Sequence, residues 1–204
     1  MTLQLLKSEL LSVLADAYDE TAWSDAALEE ALRQALVFFH PYAMLRETDF
    51  TLLDSGYQHD LTTLKAHEIV LIGWPWSDGY RLEDVARPWR LVSEHVARMD
   101  DLDLDAGEVV RVLYRPRHTI QHLDGATTTT FWELEQRRFL LAAGHYALLS
   151  RVRYYSHAGS VEQRERIPFL VSAAEGLMAQ FYSFEAQRPG SSNYVTWGAL
   201  GLCV

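Results

Sequence analysis

Two histidines and an aspartate have the spacing of a possible metal or phosphate site. His118 and His122 are four residues apart, and Asp124 follows closely. On a helix this spacing would place both imidazoles on one side, where a metal could bind. The segment instead starts after Pro116 and ends in Asp124-Gly125, which is typical of a loop between a strand and a helix. The sequence therefore predicts no bound metal here, and a small α+β metal- or phosphate-binding enzyme using His118, His122 and Asp124 remains the alternative function.

Three alternating aspartates resemble the start of a calcium loop. Asp101, Asp103 and Asp105 occupy alternate positions. The glycine that such a loop needs comes one place late, at Gly107, and the twelfth position is Val112 where calcium requires a glutamate. These departures predict a solvated acidic turn.

The sequence shows no nucleophile for covalent catalysis. It contains no GxSxG, GxGxxG or Walker glycine loop. The single cysteine, Cys203, lies in an apolar segment without the cationic neighbours that create a reactive thiolate. His95 and His145 are predicted to lie in a strand and a helix, where a hydrogen-bonded structural role is the default. We expect no catalytic residue and no cofactor.

Charge is the remaining chemical feature. The net charge is −10, and the negative excess lies before residue 110, whereas residues 111–204 are mildly basic. An acidic surface repels phosphate backbones and disfavours tight wrapping of nucleic acid. The basic cluster Arg111, Arg115 and Arg117 could bind phosphate or the carboxylates of a neighbouring subunit. Together with the acidic turn it gives a predicted assembly interface, formed by Arg111, Arg115, Arg117, Asp101, Asp103 and Asp105.

Helices are expected at both ends of the chain. A first amphipathic helix carries apolar residues at three- and four-residue steps: Leu3, Leu6, Leu10, Val13, Leu14 and Ala17. A second, capped by Ser24 or Asp25, has the buried stripe Leu28, Leu32, Ala35 and Phe39. Thr130 with Glu133, and Ser160 with Gln163, have the spacing of capping boxes that begin two long C-terminal helices. Pro168 is expected to kink the last helix.

The middle of the chain has the pattern of strands. TDFTLL and YQHDL flank the turn Asp54-Ser55-Gly56 and predict a hairpin. The segment HEIVLIGWPW is apolar at both odd- and even-numbered positions, which predicts a central strand covered on both faces. WRLVSEHVARM and EVVRVLYRPR add further strands, the last with valines on one face and arginines on the other.

The predicted fold is α+β: a helical bundle of two N-terminal and two long C-terminal helices, with an inserted antiparallel β-sheet and an extended C-terminal tail. We expect one domain over 1–187, helical over 1–45 and 130–187, with the β insertion at 46–129. The tail, 188–204, has no charge after Arg188 and is expected to dock on a partner through Tyr194, Trp197, Leu200, Leu202 and Val204.

Composition and the lengths of the apolar runs indicate a globular protein without a membrane-spanning segment. Hydrophobic residues make up 49% and charged residues 23%, a globular balance. No apolar run approaches the roughly 20 residues needed to cross a bilayer. Glu9 and Asp16 interrupt the apolar start, so no secretory signal is predicted.

The order of features resembles the head-tail connector, adaptor or neck family of tailed bacteriophages. The resemblance runs from about Leu3 to Phe184 in layout, and its most specific stretch is RVLYRPRH, the loop to Asp124-Gly125, the threonine run and the alanine-rich helix FLLAAGHYALLSRVRYYS. None of these motifs is catalytic. The sheet between Glu47 and Arg117 is larger than the plain helical bundle of the minimal family pattern.

This resemblance implies a structural virion protein rather than an enzyme. It implies a ring of twelve copies below the portal that joins capsid to tail and lets DNA pass without sequence-specific binding. The partners would be the portal protein, a stopper or tail-terminator protein and other copies of the chain, with no membrane. The protein would assemble in the host cytoplasm and reside in the virion neck. The long helix from Phe131 to Tyr155 would pack the ring, and the tail would be the docking arm.

A third hypothesis is a monomeric acidic protein that mimics DNA. The arginine cluster and the apolar tail argue against it. Salt-sensitive binding to DNA-handling enzymes would argue for it.

Overall fold

The computed structural model describes residues 2–17, 23–76 and 81–186, and these form the predicted α+β fold. They make two compact units. The helical unit comprises the described residues of 2–42 and 118–186, and the β unit comprises those of 43–117. The tail predicted at 188–204 lies outside the described residues. No helix in the described part of the chain is long and apolar enough to span a membrane.

The helical unit contains five helices around one apolar core. They are α1 (Leu3–Ala17), α2 (Asp25–Phe39), α3 (Glu133–Ala158), α4 (Val161–Glu165) and α5 (Ile167–Ala186). As predicted, Ser24 caps α2: its Oγ accepts a hydrogen bond from the Ala27 amide at 3.2 Å. The predicted stripes of α1 and α2 also bury their central residues, among them Leu6, Leu10, Leu14, Leu28, Leu32, Ala35 and Phe39.

The start of α3 differs from the prediction. Thr130 does not cap this helix; its Oγ1 accepts a hydrogen bond from the Thr119 amide at 2.9 Å. The helix begins at Glu133, and the carboxylate that reaches back is that of Glu135, which accepts from the Trp132 amide at 3.1 Å. Because the Thr130 side chain binds the backbone of the preceding loop, it does not cap the helix, and the helix begins further along the chain.

The last helical segment divides in two instead of kinking. Ser160 and Gln163 form the predicted capping box at the start of α4. The chain then starts a new helix, α5, at Ile167, with Pro168 in its first turn, where a missing amide leaves no helical hydrogen bond unmade. The predicted stripe of α5 buries Leu170, Ala174, Leu177 and Phe181.

The β unit holds two antiparallel three-stranded sheets. Its strands are β1 (Arg46–Thr51), β2 (Gln58–Asp60), β3 (Ala66–Gly73), β4 (Arg90–Ser93), β5 (Val96–Arg98) and β6 (Val109–Pro116). One sheet has the order β1-β6-β3 and the other β2-β5-β4. The predicted hairpin of β1 with β2 is wrong, because β1 pairs with β6 and β2 pairs with β5. The turn after β1 passes the chain from one sheet to the other.

Two further strand predictions need correction. β3 is buried on both faces as predicted, but it lies at an edge of its sheet, and β6 is the central strand. Its cover on both faces comes from two apolar clusters, one containing Ile69 and Ile72 and the other Val70 and Leu71. His95 lies in the turn between β4 and β5 and not within a strand.

Candidate assembly surfaces

The predicted interface arginines are each paired within the β unit. Arg111 donates to Asp49 Oδ1 at 2.7 Å and lies 3.3 Å from Glu47 Oε2, both on β1. The hydrogen bond to Asp49 is the main reason that the pKa of Arg111 is raised above its ordinary value. Strand register explains the pairing, since Arg111 lies directly opposite Asp49.

The other two arginines also have partners in the same unit. Arg115 donates to Glu68 Oε2 at 3.0 Å and to the Ala43 carbonyl at 2.8 Å. Arg117 pairs with Glu94, which holds the pKa of that carboxyl below its ordinary value. The three arginines therefore form ion pairs with carboxylates of their own unit.

The acidic turn keeps its predicted place between β5 and β6. Asp101, Asp103 and Asp105 are exposed, while Leu104 between them is buried. Leu104 anchors the turn through paired backbone hydrogen bonds with Gly56, at 2.8 and 3.1 Å. The three carboxylates thus project from a fixed backbone, and their role in an interface stays a prediction.

The three residues of the alternative enzyme site have separate environments. His118 is buried, with Nε2 at 3.2 Å from Glu135 Oε1 and Nδ1 at 3.2 Å from Thr130 Oγ1. His122 is exposed, and Asp124 accepts a hydrogen bond from Arg33 at 2.7 Å. Within the described residues, no group of three or more His, Cys, Asp or Glu side chains could hold a metal ion.

An exposed edge strand was not anticipated from the sequence. All four residues of β4 are exposed, and among the described strands β4 pairs only with β5. Leu91 and Val92 expose 50% and 51% of their surface, and the pairing of β4 with β5 is irregular between Leu91 and Ser93. The signal was present in the sequence, because a short strand that starts soon after Pro88 is typical of a sheet edge.

The helical unit has its own exposed apolar side chains. Val37 on α2 and Val161 on α4 each expose 73% of their surface. By contrast, the middle of α3 is enclosed, and Phe139, Ala142, Ala147 and Leu148 are fully buried in the core of this unit. Other residues of α3 are exposed, among them Arg153 and Tyr154, so the packing of the ring by this helix stays a prediction.

A cleft of about 550 Å³ opens between α1, α3 and α5. Its floor is formed by Val13, Leu140, Leu141 and Leu177. Its rim is polar and is formed by Glu9, Ser12, Glu133, Gln136, Arg137 and Gln180. An apolar floor inside a polar rim is the usual composition of a binding cleft. We call it the three-helix cleft.

The docking residues predicted in the tail, Tyr194, Trp197, Leu200, Leu202 and Val204, lie outside the described residues. No protein-family model matches the chain, and no curated protein sequence matches it. We therefore infer function from the sequence and from the surfaces of the two units.

Proposed function

We propose that this chain is a structural virion subunit, a head-tail connector that forms a ring below the portal, joins capsid to tail and lets DNA pass. The single observation that supports this best is the β4 edge, where Leu91 and Val92 are half exposed. An uncovered edge with apolar side chains invites pairing with another chain. In a ring, a neighbouring subunit would cover this edge.

Separate apolar surfaces suit a ring. Side-to-side contacts around a closed ring join two different patches of the same protein. The β4 edge on the β unit, and the exposed Val37 and Val161 on the helical unit, are apolar positions that different contacts of a ring would cover. A two-fold dimer would need only one self-complementary patch.

The charge suits a DNA channel. The net charge is −10, and the arginines of β6 and the residue after it are paired with carboxylates of their own chain. The remaining negative excess of the chain would repel phosphates. DNA could then slide past the ring without binding to it.

The partners follow from the proposal. They are neighbouring copies in a twelve-membered ring, the portal protein on one side, and a stopper or tail-terminator protein on the other. The sequence resemblance, above all in the stretch RVLYRPRH with the following loop and helix, supports this assignment. In the described residues this stretch is continuous as β6, a loop and α3.

The test measures assembly. The chain alone and the chain mixed with a portal ring are compared by light scattering and by electron microscopy. We expect a closed ring on the portal, and we expect Leu91→Asp to abolish it because a charge is placed in the β4 contact. Leu53→Asp is the matched control, since Leu53 is an exposed leucine of the same unit outside any strand.

A monomer in both preparations would contradict the proposal. So would a ring that forms equally well with Leu91→Asp. Circular dichroism of both variants must match that of the unchanged chain, so that loss of the ring reports on the surface and not on folding.

A further inference from the structure

We propose that the C-terminal end of α3 in one copy of the chain binds in the three-helix cleft of a neighbouring copy. The end consists of Arg153, Tyr154 and His157, and we call these residues the α3 end. The inference deepens the proposed function and rests on it in taking a second copy as the partner. Both surfaces belong to the helical unit.

The cleft presents an apolar floor to an incoming side chain. Val13, Leu140, Leu141 and Leu177 form this floor, and the cleft volume of about 550 Å³ lies in the range of sites that enclose compact groups. An aromatic side chain that enters the cleft removes apolar surface from water, on its own side and on that of the floor. The cleft therefore favours an occupant that leads with a large ring.

The rim of the cleft offers a carboxylate to a cation. Glu9 and Glu133 lie on this rim together with Arg137. The Arg137 guanidinium lies 5.3 Å from the ring of Phe184 on α5, which is an attractive contact. Glu133 is exposed and forms no ion pair with another described residue. A partner that brings a positive charge to this rim would find Glu133 available.

The α3 end has the complementary composition. Arg153 and His157 are four residues apart, so they lie on one face of the helix, and Tyr154 is three residues before His157. Tyr154 exposes 56% of its surface, and the other two residues are also exposed. Arg153, like Glu133, forms no ion pair with another described residue. Tyrosine and arginine are enriched among the residues that dominate binding at interfaces.

The geometry requires a second copy as the source of the α3 end. α3 is one continuous helix of 26 residues, and Glu133 and Arg153 are about 30 Å apart along its axis. A helix cannot bring its own far end back into a cleft at its start, so the end of one copy meets the cleft of another. The contact joins two different surfaces, and contacts of this head-to-tail type generate rings when the rotation between copies closes.

Cross-linking between two kinds of full-length chain tests this contact. In a Cys203→Ser background, one chain carries Ser12→Cys on the rim of the cleft, and the other carries Ser156→Cys next to the α3 end. One chain is labelled with a heavy nitrogen isotope, so that mass separates mixed dimers from dimers of one kind. Ser172→Cys replaces Ser12→Cys in the matched control, because Ser172 is exposed on α5 and does not line the cleft. A short bis-maleimide joins the thiols in concentrated protein without a portal.

We expect mixed dimers to form about tenfold faster with Ser12→Cys than with Ser172→Cys, because binding raises the local concentration of one thiol at the other. Tyr154→Ser in the chain that carries Ser156→Cys should remove most of this advantage, since the ring that enters the cleft is lost.

An exchange of charges tests the pairing at the rim. Glu133→Arg in the chain that supplies the cleft should slow the cross-link about threefold, which is the effect of a partly exposed ion pair. Arg153→Glu in the chain that supplies the α3 end should then restore most of the rate, because the two charges are again opposite. Both positions are exposed, and circular dichroism checks that the variants keep their helical content.

Three results would overturn the proposal. They are equal rates for Ser12→Cys and Ser172→Cys, an unchanged rate after Tyr154→Ser, and no recovery when Arg153→Glu is combined with Glu133→Arg. The connector proposal is tested separately, through Leu91 on the β unit and a portal ring. A ring on the portal without this cross-link would overturn the α3 contact alone, and this cross-link without a ring on the portal would overturn the connector alone.

Discussion

At the scale of single residues, Glu135 is the polar centre of the helical unit. Its side chain is fully buried, and its two oxygens have different tasks. Oε1 lies 3.2 Å from His118 Nε2, and Oε2 accepts from the Trp132 amide at 3.1 Å. The His118 ring stacks on Phe131 with centroids 4.3 Å apart. One carboxylate thus fixes both the start of α3 and the loop that precedes it.

Removing this carboxylate should destabilise the protein strongly. Glu135→Ala leaves a buried imidazole nitrogen and a backbone amide without this acceptor, and we expect it to lower the free energy of unfolding by about 2–4 kcal/mol. Glu133→Ala is the control: Glu133 is exposed in the same first turn, so its loss should cost less than about 1 kcal/mol. Urea unfolding followed by circular dichroism measures both, and equal losses would contradict the assigned role.

Asp100 should make the stability of the β unit sensitive to acid. Hydrogen bonds from Arg90 and Arg98 hold the pKa of Asp100 below its ordinary value of 3.8. The unfolded chain therefore takes up a proton at higher pH than the folded chain does. The stabilisation is complete above about pH 5 and is lost as the pH falls through about 4 and below.

Thermal unfolding at several pH values checks this sign. The midpoint of the unchanged chain should fall between about pH 5 and about pH 3, and Asp100→Asn should show a smaller fall because it cannot be protonated. If both chains lost the same amount, Asp100 would not be the titrating group.

At the scale of elements, α3 organises the helical unit because α1, α2 and α5 all pack against it. Gly144 lies in this helix beside side chains of both α1 and α5, since a Cβ added there would crowd both Leu177 and Val13. Gly176 on α5 is the opposite case, because an added Cβ would meet no atom within 4 Å. The two glycines share a helical setting and differ in the space around them.

Alanine substitutions at these two glycines should affect stability differently. Gly176→Ala should stabilise the protein by about 0.5–1 kcal/mol, which is the helix propensity gained. Gly144→Ala gains the same propensity but crowds Leu177 and Val13, at a typical cost of about 1–3 kcal/mol. Urea unfolding should therefore place Gly144→Ala at least about 1 kcal/mol below Gly176→Ala. Equal stabilisation of the two variants would show that the helices separate at little cost.

At the scale of the whole molecule, the β unit is an insertion between α2 and the loop before α3. The two ends of the helical unit that flank it are close together, because His40 Nε2 lies 3.3 Å from the His118 carbonyl oxygen. The ends of the β unit also meet, through the hydrogen bond from Arg115 to Ala43. Each unit is thus closed at its own chain ends, which is the arrangement that tolerates insertion of one unit in another.

The helical unit should therefore fold without the insertion. Replacing residues 43–117 with a glycine-serine linker of about four residues should leave a helical protein that unfolds cooperatively, because its core residues all lie outside the deleted range. Circular dichroism during thermal unfolding measures this. A broad transition without a baseline would show that the helical unit needs the β unit in order to fold.

Features that depend on near neighbours could be predicted from the sequence alone. The stripes of α1, α2 and α5, the cap at Ser24 and the capping box at Ser160 all follow from residues within a few positions of one another. The α+β class followed from these helix patterns together with the strand patterns in the middle of the chain. The cap of α3 was predicted at Thr130 and lies at Trp132, because Thr130 has a partner in the preceding loop.

Which distant groups meet could be known only from the folded chain. Asp49 pairs with Arg111 across 62 positions, and Asp124 with Arg33 across 91, so their partners follow from strand register and helix packing and not from local pattern. The same reason explains the wrong hairpin, since β1 finds its partner in β6 at the far end of the unit. Spacing can suggest that His118 and Asp124 act together, but burial and available partners decide that one binds Glu135 and the other Arg33.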